Sequence, residues 1–457
     1  MRDQSGKNLT FNGGFQELFT LFIPLLLIAF SNYLFFLVEK LYLVRVSLQA
    51  LEAAVSSAYV CQVFQGSCIA LAMMAQVWIG RWNGAQEWKS IGPGLWQFIW
   101  FAVISMAITL PAGLIYGSFY FEGVAIKELA TPYYTFLLGI NFLYPLGAAL
   151  SCFYLGKGQP RLILWVVLLS QGLKVLLGYP LIFGWGLIPS YGILGGAIST
   201  CIAQIVFCGI LLAMFLSKEN VQIYDTRSWK FQPKFFWECI SPGLLRVCNR
   251  VLNFTSWASI AHLMTAKGGD YLLILSIGGT LFLFLPMFVD ALSQAQVTVV
   301  SNLLGTRNFF HLKKTFYSGS KLVGLVAVFT GIPLVFFPEF TLNALFPAAH
   351  LAPEAANTLF FGVWLSFLLF AFGTIPISDI LAFKDMKFSF FMGFFNWING
   401  YLFMRFAINH VEIRADQFWL FLSVMHATTA LIYLWRSSRL RSAALQESMN
   451  FLHVKMD

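Results

Sequence analysis

Long blocks of apolar residues alternate along this chain with short polar stretches. A helix that crosses a bilayer needs about 20 consecutive, mostly apolar residues. Twelve blocks meet that requirement, at residues 15–38, 53–79, 96–119, 132–155, 161–183, 190–216, 235–263, 271–300, 317–337, 356–382, 388–408 and 416–436. The pattern therefore predicts an all-α integral membrane protein with twelve transmembrane helices.

The composition excludes a water-soluble protein. Of the 457 residues, 58% are hydrophobic and 11% are charged, whereas roughly a quarter of the residues are charged in ordinary soluble domains. The net charge of +9 would suggest nucleic acid as a partner of a soluble protein. In a membrane protein it points instead to charged loops, so the expected partners are the lipid bilayer and a small-molecule substrate, and no nucleic acid.

Lysines and arginines are unevenly divided between the two sides of the membrane. With the N-terminus inside the cell, the inner loops and tails contain 20 of these residues and the outer loops contain five. Cytoplasmic loops are the ones that carry the excess of positive residues. We therefore expect a multi-pass protein of the plasma membrane, a bacterial inner membrane, with both termini in the cytoplasm.

Similar short segments recur in the two halves of the chain. Gly84 and Gly305 each follow a predicted helix, and Pro24 and Pro242 lie early in two others. The loop 155–161 resembles the loop 381–387 in the same order. These matches predict two pseudo-symmetric six-helix bundles in a parallel repeat, an arrangement in which transporters place substrate sites between the halves. The expected segments are an N-terminal lobe at 1–216, a cytoplasmic linker at 217–234, a C-terminal lobe at 235–436 and a basic cytoplasmic tail in solvent at 437–457.

Several polar residues fall inside predicted membrane helices. Asp290 lies about 13 residues from the inner end of the eighth helix, or roughly 20 Å, and Gln294 follows it by one turn. Lys174 lies at a similar depth in the fifth helix. One stripe of the seventh helix has residues at i, i+3, i+4 and i+7, a spacing that places them on one face: Arg246, Asn249, Arg250 and Asn253.

Two interpretations of Asp290 remain open from the residues. Charges inside a membrane often pair with one another, so Asp290 has Arg246 and Arg250 as candidate partners. Alternatively, Asp290 faces a central cavity and binds a proton or Na⁺. For Lys174 we favour a cavity position over one that reaches the membrane surface. The excess of cations over acids at this depth suggests an anionic or zwitterionic solute.

Four stretches resemble the multidrug and toxic compound extrusion (MATE) family, in the same order over nearly the whole chain. They are "EKLYLVRVS" (39–47), "AQVWIGRWNGAQ" (75–86), "LLGYPLIFGWGLIPSYGILGGAIST" (176–200) and "VVSNLLGTRN" (299–308). The resemblance implies a MATE-like fold and an ion-coupled transporter, which is not an enzyme. It also implies a coupling role for Glu39, where the family usually has Asp, against the simpler interpretation of an outer interfacial residue beside Lys40.

This chain differs from the family at several polar positions. Lys174 stands where helix 5 usually has Asn, and the helix 7 segment offers Arg250 and His262 in place of the usual Glu. Asp379 is the candidate for the helix 10 acid, although a loop ion pair with Lys384 is the simpler interpretation. The resemblance leaves H⁺ and Na⁺ open as the coupling ion, with Glu39 or Asp290 as a possible Na⁺ site, and implies no cofactor and no other metal.

The predicted function is secondary active efflux. A monomer would export small amphiphilic or toxic organic solutes in exchange for H⁺ or Na⁺ by alternating access between its lobes. The alternative is a flippase or exporter of lipid-linked or anionic solutes in the same superfamily. A membrane-embedded transferase would need acids or a His on a surface loop, and the short basic inner loops count against it.

Overall fold

The chain is helical almost throughout. The computed structural model describes residues 11–186, 188–347, 349 and 351–456. The helices are α1 Phe15–Val46, α2 Leu48–Ala72, α3 Met74–Gly84, α4 Trp88–Tyr120, α5 Lys127–Gly139, α6 Leu143–Gly156, α7 Pro160–Phe183, α8 Ile193–Phe215, α9 Lys218–Tyr224, α10 Pro233–Lys267, α11 Gly269–Phe284, α12 Pro286–Gly305, α13 Phe310–Gly331, α14 Pro338–Leu345, α15 Pro353–Ala382, α16 Met386–Asn409 and α17 Phe418–Met456. A π-helical turn at Ile332–Phe336 continues α13, and a 3₁₀ turn at Ala415–Gln417 precedes α17.

Within the described residues, ten helical stretches are long and apolar enough to cross a membrane. The prediction of an all-helical membrane protein is confirmed. Three of the stretches consist of two successive helices, namely α2–α3, α5–α6 and α11–α12. The predicted segments 235–263 and 388–408 lie on α10 and α16, which are long helices outside this set of ten.

The end of α1 differs from the expectation. The first segment was predicted to end at residue 38, before the polar pair Glu39 and Lys40, but α1 continues to Val46. Ionic residues usually mark the edge of a membrane helix because they are costly to bury. Here Glu39 has an ionic partner inside the fold, so the helix does not need to end before it.

The residues form two compact units. One spans Leu27–Val247, and the other combines the chain up to Leu26 with the residues from Cys248 onward. The borders fall inside α1 and α10, whereas the predicted lobes 1–216 and 235–436 meet at the linker. Those lobes remain a prediction, and the first ten residues of the N-terminal lobe lie outside the described part of the chain.

The predicted linker is a structured part of the first unit. After α9, its backbone runs along α4 and accepts hydrogen bonds from α4 side chains. Trp96 Nε1 donates to the carbonyl of Thr226 at 2.7 Å, and Trp100 Nε1 donates to that of Trp229 at 2.8 Å. Gln97 both donates to the Lys230 carbonyl and accepts from a backbone N–H of this segment. These hydrogen bonds attach the segment 217–234 to α4 of the first unit.

The turns that close equivalent hairpins have the same backbone geometry in both units. The stretches Leu48–Gly84 and Gly269–Gly305 are both 37 residues long and start 221 residues apart. Each is followed by a residue in the left-handed region, Gln86 (φ 61°) and Arg307 (φ 55°), again 221 apart. Their N–H groups donate to the carbonyl three residues before, at 3.2 and 3.3 Å.

The same correspondence extends through the later turns. Gly158 and Lys384, with φ of 77° and 63°, are 226 residues apart. Gly186 and Glu412, with φ of 59° and 52°, have that same separation. Left-handed residues are uncommon outside glycine, so their recurrence at fixed offsets supports the internal repeat that the sequence suggested.

The segment interpreted as a solvated tail continues the last helix. α17 extends to Met456, and Ser437 is completely buried. The side chain of Arg441 is 11% exposed and pairs with Asp379 on α15. The extension is helical because a buried carboxylate and neighbouring hydrophobic groups give one of its faces a packing surface, which the basic composition alone does not reveal.

Candidate ion and substrate site

A carboxylate and an ammonium group from two membrane helices meet inside the first unit. Nζ of Lys174 on α7 lies 2.5 Å from Oε2 of Glu39 on α1, and the two side chains are only 14% and 12% exposed. The phenol of Tyr133 on α5 donates a hydrogen bond to the other oxygen, Oε1, at 3.3 Å. Both oxygens of Glu39 are therefore engaged.

The pair lines a small crevice. Its walls include Phe35 and Tyr42 of α1, Gly178 of α7 and Ser199 of α8, and its accessible space is about 10 Å³. That is about the amount that one water molecule requires. The crevice therefore brings a carboxylate, an ammonium and a hydroxyl within reach of a small ion or one polar group.

Glu39 and Lys174 form an ion pair. A cation would compete for the carboxylate, and an anionic group would compete for the ammonium. Burying a single charge in a membrane is costly, whereas a carboxylate and an ammonium neutralise one another. A proton or Na⁺ that binds Glu39 would replace Lys174 as its partner. The displaced ammonium would then be able to bind an anionic group.

The second unit has no equivalent pair at the corresponding positions. An offset of 221 from Glu39 leads to Ile260, and an offset of 226 from Lys174 leads to Gly400. A Cβ atom placed on Gly400 would lie 3.7 Å from Cδ1 of Ile260, so the two positions are neighbours there too. An isoleucine against a glycine replaces the ionic contact, which shows that the two units differ in chemistry at matching places.

Asp290, the acid that the sequence singled out first, lies on α12 and is exposed. Its neighbours Val289, Ala291 and Leu292 are buried, and Gln294 is half-buried. Arg250 belongs to the same unit as Asp290, whereas Arg246 belongs to the other. The ion pair with either arginine and the ion-binding role both remain predictions.

The predicted polar stripe of α10 divides into different environments. Asn249 donates to Ser389 of α16 at 2.7 Å, and Asn253 donates back to the Asn249 carbonyl at 2.9 Å. Arg246 contacts the sulfur of Met74 at 3.8 Å within the first unit. Arg250 and His262 are exposed. Of the four residues on the predicted stripe, Asn249 is the one whose hydrogen bond to α16 is described, and Asn253 supports it from one turn away.

Asp379 lies in a buried polar network at the end of α15, and its ion pair with Lys384 remains a prediction. Its side chain is 3% exposed. Ser437 donates to Oδ2 at 2.7 Å, and Gln296 of α12 donates to Oδ1 at 3.3 Å. Arg441 completes the network at 3.5 Å, with its guanidinium over the ring of Phe316 at 4.3 Å. The sequence did not indicate Ser437 and Arg441 because both lay in the presumed tail.

The sequence did not indicate that one loop lysine is buried. Lys157, just after α6, is 2% exposed. Its Nζ lies 3.6 Å from the ring centroid of Phe153 and 4.5 Å from that of Tyr224 on α9. Burial lowers the pKa of Lys157 to about 7, and the negative charge of Glu219 opposes this shift. The aromatic residues near this loop lysine were the signal in the sequence that could have indicated its burial.

Lys157 should make the stability of the protein depend on pH. Between pH 7 and the ordinary lysine pKa near 10.5, an unfolded chain binds a proton that the folded chain does not. Stability should therefore rise with pH across this window, and Lys157→Met should remove that part of the rise. Thermal unfolding in detergent from pH 6 to pH 9 measures it, and Lys218→Met, at an exposed lysine of α9, is the control. An unchanged pH slope in Lys157→Met would contradict this role.

Known proteins resemble this chain in sequence and in fold. No protein-family model matches the sequence. A curated protein of Thermotoga maritima, described as a probable multidrug resistance protein NorM, is 26% identical over 333 residues, which are 71% of this chain and 70% of that protein. An outward-facing multidrug resistance MATE transporter of the MOP superfamily superposes with a TM-score of 0.83 at 15% identity, over 94% of this chain and 97% of that one.

The predicted resemblance to the MATE transporters is confirmed as a similarity in sequence and fold. A MOP superfamily transporter from Pyrococcus furiosus also superposes on this chain, with a TM-score of 0.82 at 15% identity over 96% of this chain and 99% of that one. The polarity of that protein's binding pocket is described as reversed, which suggests a different function for it.

Proposed function

We propose that this MATE-type chain is a secondary active antiporter, which exports small amphiphilic or toxic organic solutes in exchange for H⁺ or Na⁺. The observation that supports this most directly is the ion pair between Glu39 and Lys174 at the crevice. The crevice provides space beside the paired carboxylate for an external cation. The multidrug resistance relative and the MATE structures solved with the ligands MaL6 and Br-NRF belong to other proteins, and they support a small-molecule substrate.

The topology belongs to the same proposal. Ten described stretches can cross the membrane, and α10 and α16 would raise the number of crossings to twelve. An even number leaves both termini on one side, and the distribution of lysine and arginine makes that side the cytoplasm. The protein would act as a monomer in a bacterial inner membrane.

The mechanism follows from the exchange at Glu39. In one state Lys174 neutralises the carboxylate, and in the other a proton or Na⁺ does so. A ligand shifts a conformational equilibrium only if it binds one state better than the other. Since ion and Lys174 compete for the same oxygen atoms, ion binding would favour the state in which Lys174 faces the solute. Asp290 on α12 would provide a second carboxylate for the same exchange.

The charge of Lys174 suggests which solutes fit. Once an ion holds Glu39, the free ammonium attracts a carboxylate, sulfonate or phosphate group on the solute. An anionic or zwitterionic amphiphile would therefore bind better than a simple organic cation. The same cation also suits the alternative function, a flippase or exporter of lipid-linked anionic solutes, and the reversed pocket polarity described for the Pyrococcus furiosus relative is the observation that favours it.

Transport by purified protein under imposed gradients tests the proposal. We expect proteoliposomes to move amphiphilic dyes against their gradient when a pH or Na⁺ gradient is imposed, with anionic or zwitterionic dyes moved at least several-fold faster than cationic ones. Asp290→Asn in parallel assigns the contribution of the second carboxylate. Empty liposomes that hold the same gradients are the control.

Two results would overturn this function. Absence of gradient-driven movement of every dye would exclude an antiporter of small solutes. Rapid gradient-independent movement of a fluorescent anionic lipid between leaflets would support the flippase. Faster transport of cationic dyes than of anionic ones would refute only the assignment of solute charge to Lys174.

A further inference from the structure

The exposed face of α13 changes in character along its length. Exposed positions recur every three or four residues, so they form one stripe along the helix. In the first turns this stripe contains Phe310, Lys313, Lys314, Tyr317 and Lys321. Beyond Lys321 it is entirely apolar, and it includes the exposed side chains of Leu325, Val328 and Phe329. The exposed face of α13 thus has a basic segment followed directly by an apolar one.

The basic segment occupies the first turns of a candidate membrane span, Phe310–Phe336. Lys321 comes eleven residues after the start of α13, which places its Cα about 16 Å along the axis. Side chains of a helix lean toward its N-terminus, and a lysine in a membrane extends its ammonium toward the surface. The ammonium of Lys321 can therefore extend toward the start of the span. Nζ of Lys313 lies 6.0 Å from the Tyr317 ring centroid, so these two side chains are neighbours on the stripe.

No acid on α13 neutralises these lysines. The helix contains neither Asp nor Glu. Two acids of neighbouring elements have other partners, since Glu17 of α1 interacts with Lys314 of α13 and Asp379 of α15 pairs with Arg441. Among the ion pairs between described residues, none includes Lys313 or Lys321. The stripe therefore has a positive charge that an external anion can balance.

We propose that this stripe binds an anionic phospholipid, whose phosphate group contacts Lys313, Tyr317 and Lys321 and whose acyl chain lies along Leu325, Val328 and Phe329. In the proposed topology, this is a lipid of the cytoplasmic leaflet. Juxtamembrane lysines attract anionic lipids of that leaflet. The apolar half of the stripe favours a phospholipid over a free phosphate ion, because a phosphate ion has no acyl chain to contact it.

Competition between lipids in nanodiscs tests this site. The protein is reconstituted in equal amounts of phosphatidylglycerol and phosphatidylcholine, extracted into mild detergent, and examined by native mass spectrometry for retained lipid. We expect Lys313→Gln with Lys321→Gln to lower the ratio of retained phosphatidylglycerol to phosphatidylcholine roughly thirtyfold, and each single change to lower it about fivefold. The matched control is Lys218→Gln with Lys234→Gln, which removes two equally exposed lysines of the cytoplasmic segment 217–234.

Further arms identify the anion and keep the proposal falsifiable. Excess inorganic phosphate should leave the retained phosphatidylglycerol in place, and its displacement would indicate a simple anion site. Tyr317→Phe keeps the ring and removes the hydroxyl, so it should give a smaller loss than either lysine change. A retained-lipid ratio that is the same in the wild type, the stripe variant and the control variant would overturn the proposal. This result is independent of whether dyes are transported.

Discussion

Replacing Glu39 by glutamine should lower gradient-driven dye transport at least tenfold. Glutamine has nearly the size of glutamate, but its amide is neutral. It therefore neither takes up a proton in the relevant pH range nor provides a negative charge for Na⁺ or Lys174. The exchange between Lys174 and an external cation would then stop. The measurement is the initial rate of dye accumulation in proteoliposomes under an imposed pH or Na⁺ gradient, normalised to the amount of folded protein.

The same substitution leaves Lys174 without its carboxylate, so a loss of stability must be separated from a loss of coupling. The double variant Glu39→Gln with Lys174→Gln removes both charges and should recover thermal stability while transport stays low. Glu52→Gln changes an exposed acid of α2 and should have no effect. If the double variant transported dye normally, the pair would be a structural contact and the proposed exchange would be wrong.

Asp379→Asn should destabilise the protein by about 3–5 kcal/mol, because it leaves a buried arginine without its countercharge. The carboxylate is 3% exposed and Arg441 is 11% exposed, so water can replace little of the lost interaction. Thermal unfolding in detergent, followed by the loss of monodisperse protein, measures the effect. Removing both charges, as in Asp379→Asn with Arg441→Gln, should recover much of the stability.

A more exposed ion pair of the same unit provides the comparison. Asp385 pairs with Arg436 of α17 at 2.6 Å, with side chains 17% and 34% exposed. Asp385→Asn should cost only about 1 kcal/mol, because partly exposed pairs contribute little. Equal losses at the two aspartates would show that burial does not set the strength of the Asp379 network.

The apolar blocks were sufficient to predict the membrane helices, because the length that spans a bilayer is a local property of the chain. Prediction failed where a polar residue has a distant partner. Glu39 was expected near the end of its helix, and only the contact with Lys174, 135 residues later, explains why α1 continues. Both residues were named from the sequence as site candidates, but their pairing was not, since a sequence does not reveal which helix faces meet.

The cytoplasmic ends were the hardest parts to predict. Asp379, Ser437 and Arg441 form one network, but a basic composition after residue 436 suggests a solvated tail. Lys157 looked like an ordinary loop lysine, although Phe153 and Tyr224 enclose it. In each case the burial depends on a helical extension that packs over the end of the bundle. Such packing depends on tertiary structure and leaves no apolar block in the sequence.

The matching left-handed turns of the two units point to an origin by gene duplication. Three hairpin turns keep their geometry at offsets of 221 or 226 residues, although the side chains at those positions differ. The two halves now differ at one matched pair of positions, since one half has the acid and the lysine at positions 39 and 174 and the other has an isoleucine and a glycine. A six-helix ancestor would have paired with a second copy of itself, so both copies would have had the same residues there. Fusion allows the two halves to differ in chemistry while both keep the scaffold.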